Sequence, residues 1–465
     1  MPLSIEKSIE LAKAKLLKLI ESVKKPATRA AILTTLAYGV SQGLRFVGNL
    51  ILTRLLVPEL FGLMALVNTF ILGIQLFSDI GINPSIIRSK RWNDPVFLNT
   101  AWTLQALRSC WIWLGCILIA WPISNLYGDS RLIWLIPCVG LAALMEGFTS
   151  TSVPILNRNL EIGKLLKLEL GTQFISLTVM IVWAFFNRSI WALVAGSLIS
   201  NSIKVFWSHR LQSPATHRFT WDKDSRLEII SFGKWILIST MMSFLASQAD
   251  RLILGKLVSL ELLGVYAIAF TMADLPRQII QKVNQKVMLP VLVKYIDLER
   301  QTLREKILQK RRFVLVGLIS IVVFLVCFGD VLITVLYDSR YEAATWMLPI
   351  LAIGLWPLLL VISIDKVLYA LGNPKYTTLG SFTKVIYMVT LLPLGYHYLG
   401  FLGAVIAIAF NDITVYAVVS YGLWREKLSC IQQDIVATLI LIGLIALILT
   451  VRYLLGFNLP IHQLL

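Results

Sequence analysis

Charge is scarce in this sequence, and acidic charge scarcest. Only 15% of the 465 residues are charged while 57% are hydrophobic, and Lys plus Arg outnumber Asp plus Glu by 43 to 26. A soluble fold could not hide so much apolar surface behind so few polar residues. The four His are scattered, so no zinc or proton-relay cluster is visible. The five Cys (Cys110, Cys116, Cys138, Cys327 and Cys430) show neither metal spacing nor a redox motif, and read as small apolar fillers. Long polar stretches are missing too. The longest lie near 209–230 and 287–311, which excludes an ATPase, a soluble glycosyltransferase domain or a large receptor head.

What is there is apolar sequence in span-length runs. A transmembrane helix needs about 20 mostly apolar residues, because its backbone can bond only to itself in the bilayer core. The pattern predicts helices at 30–55, 59–82, 98–122, 131–154, 165–186, 189–208, 232–257, 260–284, 312–336, 343–371, 377–397 and 400–423, with a thirteenth at 434–455.

Basic residues alternate across these helices. They crowd the N-terminal segment, RSKRWND at 88–94, the loops near 158–167, 210–226 and 286–312, and positions 375 and 425–427. The intervening loops hold one or none, as with Arg131, Arg188 and Arg340. Lys and Arg mark cytoplasmic loops, so a cytoplasmic N-terminus is expected, and a thirteenth helix would leave the C-terminus outside. The net charge of +17 then belongs to membrane topology, and no nucleic-acid partner is expected. Residues 4–24 alternate charge with Ile and Leu at helical spacing, which predicts a basic helix on the cytoplasmic leaflet rather than a cleavable signal. The many Trp cluster toward span ends, as an aromatic belt does.

The chain also repeats itself. LILTRLLVPELFG (50–62) and LILGKLVSLELLG (252–264) are identical at seven of thirteen positions, at an offset of 202. Arg54 matches Lys256, and Glu59 matches Glu261. ISNLYGDSR (123–131) and ITVLYDSR (333–340) form a second pair in the same order. Each match falls at the same place in a six-helix half, and both halves start on the same side. Parallel repeats related by an axis near the membrane normal are expected, with a central cavity between them. The chain therefore reads as an all-α polytopic membrane protein. It comprises a basic amphipathic segment (1–29), a six-helix bundle (30–208), a cytoplasmic linker (209–231), a second six-helix bundle (232–424) and a C-terminal helix with its tail (425–465).

Several charges fall within the spans, where they need a cavity or a partner. Arg45 lies midway along helix one between Gly43 and Gly48, and Glu146 is in helix four. Asp250 and Arg251 are in helix seven, Asp274 and Arg277 share a face of helix eight at i, i+3, and Asp365 and Lys366 are in helix ten. Asp79, Arg54 and Arg108 complete the set, the first two near enough to helix ends to snorkel. Arg45 is read as a cargo contact or half of a structural pair, whereas Asp274 with Arg277 is read as a structural pair.

The run RLLVPELFGLMALVNTFILGIQLFSDIGINPSIIRSKR (54–91) resembles the start of Wzx-type oligosaccharide flippases, in the polysaccharide transporter family of the MOP superfamily. FGKWILIST (232–240), DRLILGKLVSLELLGVYAIAF (250–270), LYDSRYEAATWMLPILAIGLWP (336–357) and LYALGNPKY (368–376) extend the resemblance over roughly 28–425. It implies the two-bundle fold shared with lipid II flippases and multidrug exporters. It also implies transport, not catalysis: an undecaprenyl-diphosphate-linked oligosaccharide would cross the inner membrane to a surface or secreted polysaccharide. No cofactor is implied beyond coupling to a proton or sodium gradient. Membrane lipids and polysaccharide polymerase machinery are the partners, and the chain would act as a monomer. Arg45, Arg251, Arg277 and Lys366 would hold the diphosphate, Arg in bidentate fashion. Asp250, Asp274 or Glu146 would take up the coupling ion. A multidrug or metabolite exporter of the same fold is the near alternative. It would use fewer cavity cations. A membrane-embedded glycan polymerase or ligase would need a large external loop or a paired acid–base constellation, and neither is seen.

Overall fold

The computed structural model describes residues 26–159, 161–211, 216–283, 299–371, 373 and 375–460. The helix expected at 4–24 and the basic stretch at 286–298 lie outside the described residues. Every regular element described is helical. The first half holds α1 (Pro26–Leu55), α2 (Pro58–Phe77), α3 (Ile82–Arg88), α4 (Pro95–Tyr127), α5 (Leu132–Gly147), α6 (Ser152–Arg158), α7 (Ile162–Phe186) and α8 (Trp191–His209). The second holds α9 (Lys223–Leu257), α10 (Leu260–Ala273), α11 (Leu275–Val283), α12 (Arg300–Leu336), α13 (Ala344–Gly354), α14 (Trp356–Ile362), α15 (Asp365–Ala370), α16 (Lys375–Phe410) and α17 (Asp412–Arg425). A last helix, α18 (Ile431–Leu454), follows.

Local chemistry sets most of these boundaries. Val57 is extended ahead of Pro58, so α1 stops and α2 begins within three residues. Asp94 caps α4 by accepting from the Val96 amide at 2.9 Å, and Gly128 ends the helix at φ 71°. Seven described helical segments are long and apolar enough to cross a membrane, and an eighth is α5 with α6, bent by 61°. One of the seven, Lys375–Arg425, contains the expected helices eleven and twelve: Gly400 (φ 59°, ψ −145°) breaks it and brings Gly395 against Gly403. The other expected spans are more polar, as in α1, α8 and α9, or interrupted, as in α10 with α11.

Several expected boundaries move, three of them for local reasons. The second helix ends at Phe77 rather than 82, because Asp79 accepts from the Gly81 amide at 2.9 Å and turns the chain into α3. The seventh begins nine residues early, at Lys223, where Asp222 caps it. The ninth begins at Arg300, because Leu303 and Ile307 pack on Val361, Ile364 and Leu423 beyond the expected span.

Packing repeats between the halves. The α1–α7 contact corresponds to α9–α16, α2–α5 to α10–α13, α4–α5 to α12–α13, and α7–α8 to α16–α17. The segment 216–222 lies along the first half. His217 faces Ser150 at 2.9 Å and stacks edge-on against His209, and the Thr220 amide donates to Thr103. Burial, and then His209, hold the His217 imidazole below its ordinary range.

The thirteenth helix runs beside the ninth. Arg311 of α12 pairs with Asp434 at one end of α18, and Arg452 pairs with Asp330 of α12 at the other. Both pairs keep the chain order, so the two helices point the same way. Residue 458 and residue 339 are therefore expected on one side of the membrane. In a Cys-free variant, Asn458→Cys and Ser339→Cys should label together with an impermeant thiol reagent. Labelling from opposite sides would refute the parallel arrangement.

Candidate functional site

Two contrasting seams join the halves. Along α2, the first turns pack on α10, and from Leu66 to Leu76 the partner is α9. Thr240 donates to the Leu76 carbonyl at 2.9 Å, and Phe244 fills the space beside Gly73. Thr69 reaches Gln248 at 3.5 Å, and Gly255 lies under Leu66. Along α1, whose close packing among the described residues is with α7, the second half is met at the middle and at the C-terminal end. Gln42, midway along the helix, donates to Gln278 at 2.6 Å. At the C-terminal end, Arg340 donates to the carbonyls of Thr53 and Leu56 at 3.0 and 3.3 Å. Arg45 lies between, exposed, on the same face as Tyr38 and Gln42.

The end of the bundle away from the basic loops is closed by the repeated motifs. Tyr127 donates to the Leu252 carbonyl at 2.9 Å, and Lys256 to the Leu126 carbonyl at 2.5 Å. Gly62 and Gly264, the last residues of the first repeat pair, meet backbone to backbone. A Cβ on Gly62 would overlap the Leu260 carbonyl oxygen, and one on Gly264 would overlap that of Pro58.

Within the second half is a cavity of about 220 Å³ between α9, α10, α11, α13, α14, α16 and α17. Chain breaks open it: Pro276 follows the α10–α11 junction at Asp274, Pro357 follows the α13–α14 junction, and Asn411 separates α16 from α17. Asp274 and Arg277 form the expected pair, with Arg277 Nη2 donating to Oδ2 at 2.8 Å. Gln278, which also donates to Asp274 at 3.2 Å, carries the network to Gln42 of α1. Lys384 pairs with Asp412 at 2.6 Å, both largely buried. Asp250 accepts from the Tyr266 hydroxyl at 2.6 Å. Arg251 stands apart. Its Nη1 donates to Gln248 at 3.0 Å and its plane lies over Phe270, but its buried Nε has no partner among the described residues, and neither does Asn411 Oδ1. The cavity thus offers one guanidinium whose donors are not consumed by a carboxylate.

A second cavity, of about 310 Å³, lies in the first half at its basic end, between α2, α3, α4, α5, α6 and α8. Glu146 lines it, paired with Lys204 at 2.8 Å, alongside Asp79 and Arg108 at 4.0 Å. Arg108 also ties the end of α2, donating to the carbonyls of Ser78 and Gln75 at 2.7 and 2.6 Å.

Of the expected residues, Asp250, Arg251, Asp274 and Arg277 come together, and Glu146 lies in the other cavity. Arg45 and Lys366 line neither. Lys366 is beside Asp365 at 3.2 Å on α15. Arg45 makes no ion pair of 4.0 Å or less with any described residue. Of its flanking glycines, Gly43 faces open space, but Gly48 is packed under Leu177 of α7. Lys384, Asp412 and Lys204 were missed, although each is a charge inside an apolar run, the signal that exposed the others.

A sequence profile described as "Polysaccharide biosynthesis protein" matches residues 51–345. The chain is 22% identical over 309 residues to the teichuronic acid biosynthesis protein TuaB of Bacillus subtilis (strain 168), covering 66% of this chain and 61% of that protein. It is 20% identical over 330 residues to the succinoglycan biosynthesis transport protein ExoT of Rhizobium meliloti (strain 1021), covering 71% and 66%. The match thus spans a little under two thirds of the length of these relatives. Among solved structures, the lipid II flippase MurJ in an inward closed conformation superposes with a TM-score of 0.73 at 16% identity, over 92% of this chain and 93% of that one.

Proposed function

The chain belongs to the polysaccharide biosynthesis protein family, and from that premise we propose that it is a flippase for an undecaprenyl-diphosphate-linked oligosaccharide. The cargo moves from the cytoplasmic to the outer leaflet of the inner membrane. The basic end of the bundle is assigned to the cytoplasm, and with it the N-terminus. The two bundles, 30–208 and 232–424, rock about their shared seam in a monomer. The seam along α2 and α9 is the hinge side. The gap beside α1 is where a polyprenyl tail stays in the lipid while its head group enters. Arg45, exposed in that gap, meets the head group on its way in.

Arg251 carries this reading. A guanidinium at bilayer depth with an unused donor is costly unless something anionic completes it, and its planar fork suits phosphate oxygens. The coupling proton or sodium ion is assigned to the same cavity, where uptake at Asp412 would loosen a pair that ties two helices, and at Asp274 the Gln278 contact that reaches Gln42 of the first half.

Deletion is expected to abolish the surface or secreted polysaccharide and to leave lipid-linked repeat units in the inner leaflet. Arg251→Ala should do the same at normal protein abundance, lowering transport about tenfold or more, the worth of a charge-assisted hydrogen bond or two. Arg251→Lys should restore part, since it supplies a point charge without the fork. Normal glycan export by a deletion strain with no paralogue would overturn the function. Normal transport by Arg251→Ala would overturn the site.

A further inference from the structure

The cavity in the first half has no part in holding a diphosphate. Its charges are already matched, Asp79 with Arg108 and Glu146 with Lys204, so it offers no surplus for an ion. What it offers is uncharged hydrogen-bonding capacity. Thr149, 7% exposed, lines the cavity, and its buried hydroxyl has no partner among the described residues. Gln75 and Asn83 add side-chain amides, which donate and accept. Pro84 and Val153 supply an apolar wall beside them.

The wall is built rather than incidental. The α5–α6 bend that presents Thr149 is held by Gln105, whose amide donates to the carbonyls of Gly147 and Thr149 at 3.0 and 3.3 Å. A volume of about 310 Å³ is at the lower end of the range for small-molecule sites.

We infer that this cleft binds sugar rings: neutral or weakly charged pyranoses, with hydroxyls on Thr149, Asn83 and Glu146 and C–H faces on Pro84 and Val153. The cleft lies at the basic end, where the lipid-linked saccharide is presented. This inference rests on the flippase reading and adds to it a separate saccharide subsite, in the opposite half from the phosphate-binding arginine.

The purified full-length protein is mixed with two probes separately: the free saccharide hydrolysed from the host's lipid-linked pool, and undecaprenyl phosphate. Binding is read by saturation-transfer NMR for the first and by tryptophan quenching for the second. Thr149→Val keeps the shape and loses no hydrogen bond present in the fold, so it should fold normally. It and Asn83→Ala should each weaken the saccharide about tenfold, the worth of one good hydrogen bond, and leave undecaprenyl phosphate unaffected. Arg251→Ala should do the reverse. If the saccharide gives no signal, or one that neither Thr149→Val nor Asn83→Ala reduces, the cleft holds only water and the inference falls, whatever Arg251→Ala does to the phosphate probe. A saccharide signal sensitive to these variants, with the lipid probe silent, would keep the subsite and count against the diphosphate reading instead.

Discussion

Gly264→Leu is expected to cut transport several-fold or more while the protein stays in the membrane at normal abundance. Gly62 and Gly264 are each other's counterparts in the sequence repeat, and they meet where α2 and α10 cross at the end of the bundle remote from the basic loops. No Cβ fits there, because it would overlap a backbone carbonyl of the opposite half rather than a side chain able to turn away. The same end is held by the Tyr127 and Lys256 bonds and by Arg340 on the carbonyls that end α1. In the proposed flippase cycle, these contacts part when that end opens and are not needed while it is open. A side chain at Gly264 therefore penalises one conformer. Overpacking typically costs about 1–3 kcal/mol, a shift of roughly 5- to 150-fold between two states. Cysteines placed near 128 and 338 should become more reactive from outside, and export should fall by a similar factor. Gly317→Ala, a change into open space, should do neither. Unchanged labelling and full export by Gly264→Leu would show that this contact is not the outer closure.

That contact was half visible in the sequence. The repeat identified the two segments and their equivalence, because short identical strings at a fixed offset survive in a chain built by duplication. The long apolar spans were equally legible, because some twenty apolar residues in a row are a property of composition. The pairing of buried charges was legible only where it is local. Asp274 and Arg277 are three residues apart on one helix, so periodicity alone puts them together. Lys384 with Asp412, Arg311 with Asp434 and Asp330 with Arg452 are joined by tertiary packing, and no spacing rule brings such partners together. Hydropathy was silent for the same reason about which face each helix turns inward, since a helix apolar all round has little amphipathic direction to read.

The largest effect on stability is expected at Arg311, the bulkiest fully buried side chain described. Its guanidinium pairs with Asp434 at 2.6 Å and donates to Ser363 at 2.6 Å, to the Leu360 carbonyl at 3.0 Å and to Gln433 at 3.2 Å. Asp434 in turn accepts from the Tyr416 hydroxyl at 3.0 Å. One ion pair thus fastens α18 to α12, α14 and α17 together. Removing one member leaves an uncompensated charge where water cannot reach it, which typically costs about 3–5 kcal/mol. That is a large share of the roughly 5–15 kcal/mol by which folded domains are stable. Asp434→Leu and Arg311→Met should therefore each cut membrane abundance several-fold or more and lower the melting temperature in detergent. The double variant, Arg311→Met with Asp434→Leu, should recover much of both, because an apolar pair of similar volume needs no compensation. The second pair, Arg452 with Asp330, would still hold the other end of α18 in register. Recovery in the double variant, with export restored alongside abundance, would mark the pair as a fastening for the thirteenth helix and leave the transport cycle to the charges of the second-half cavity. Single variants as abundant and as heat-resistant as the wild type would refute it.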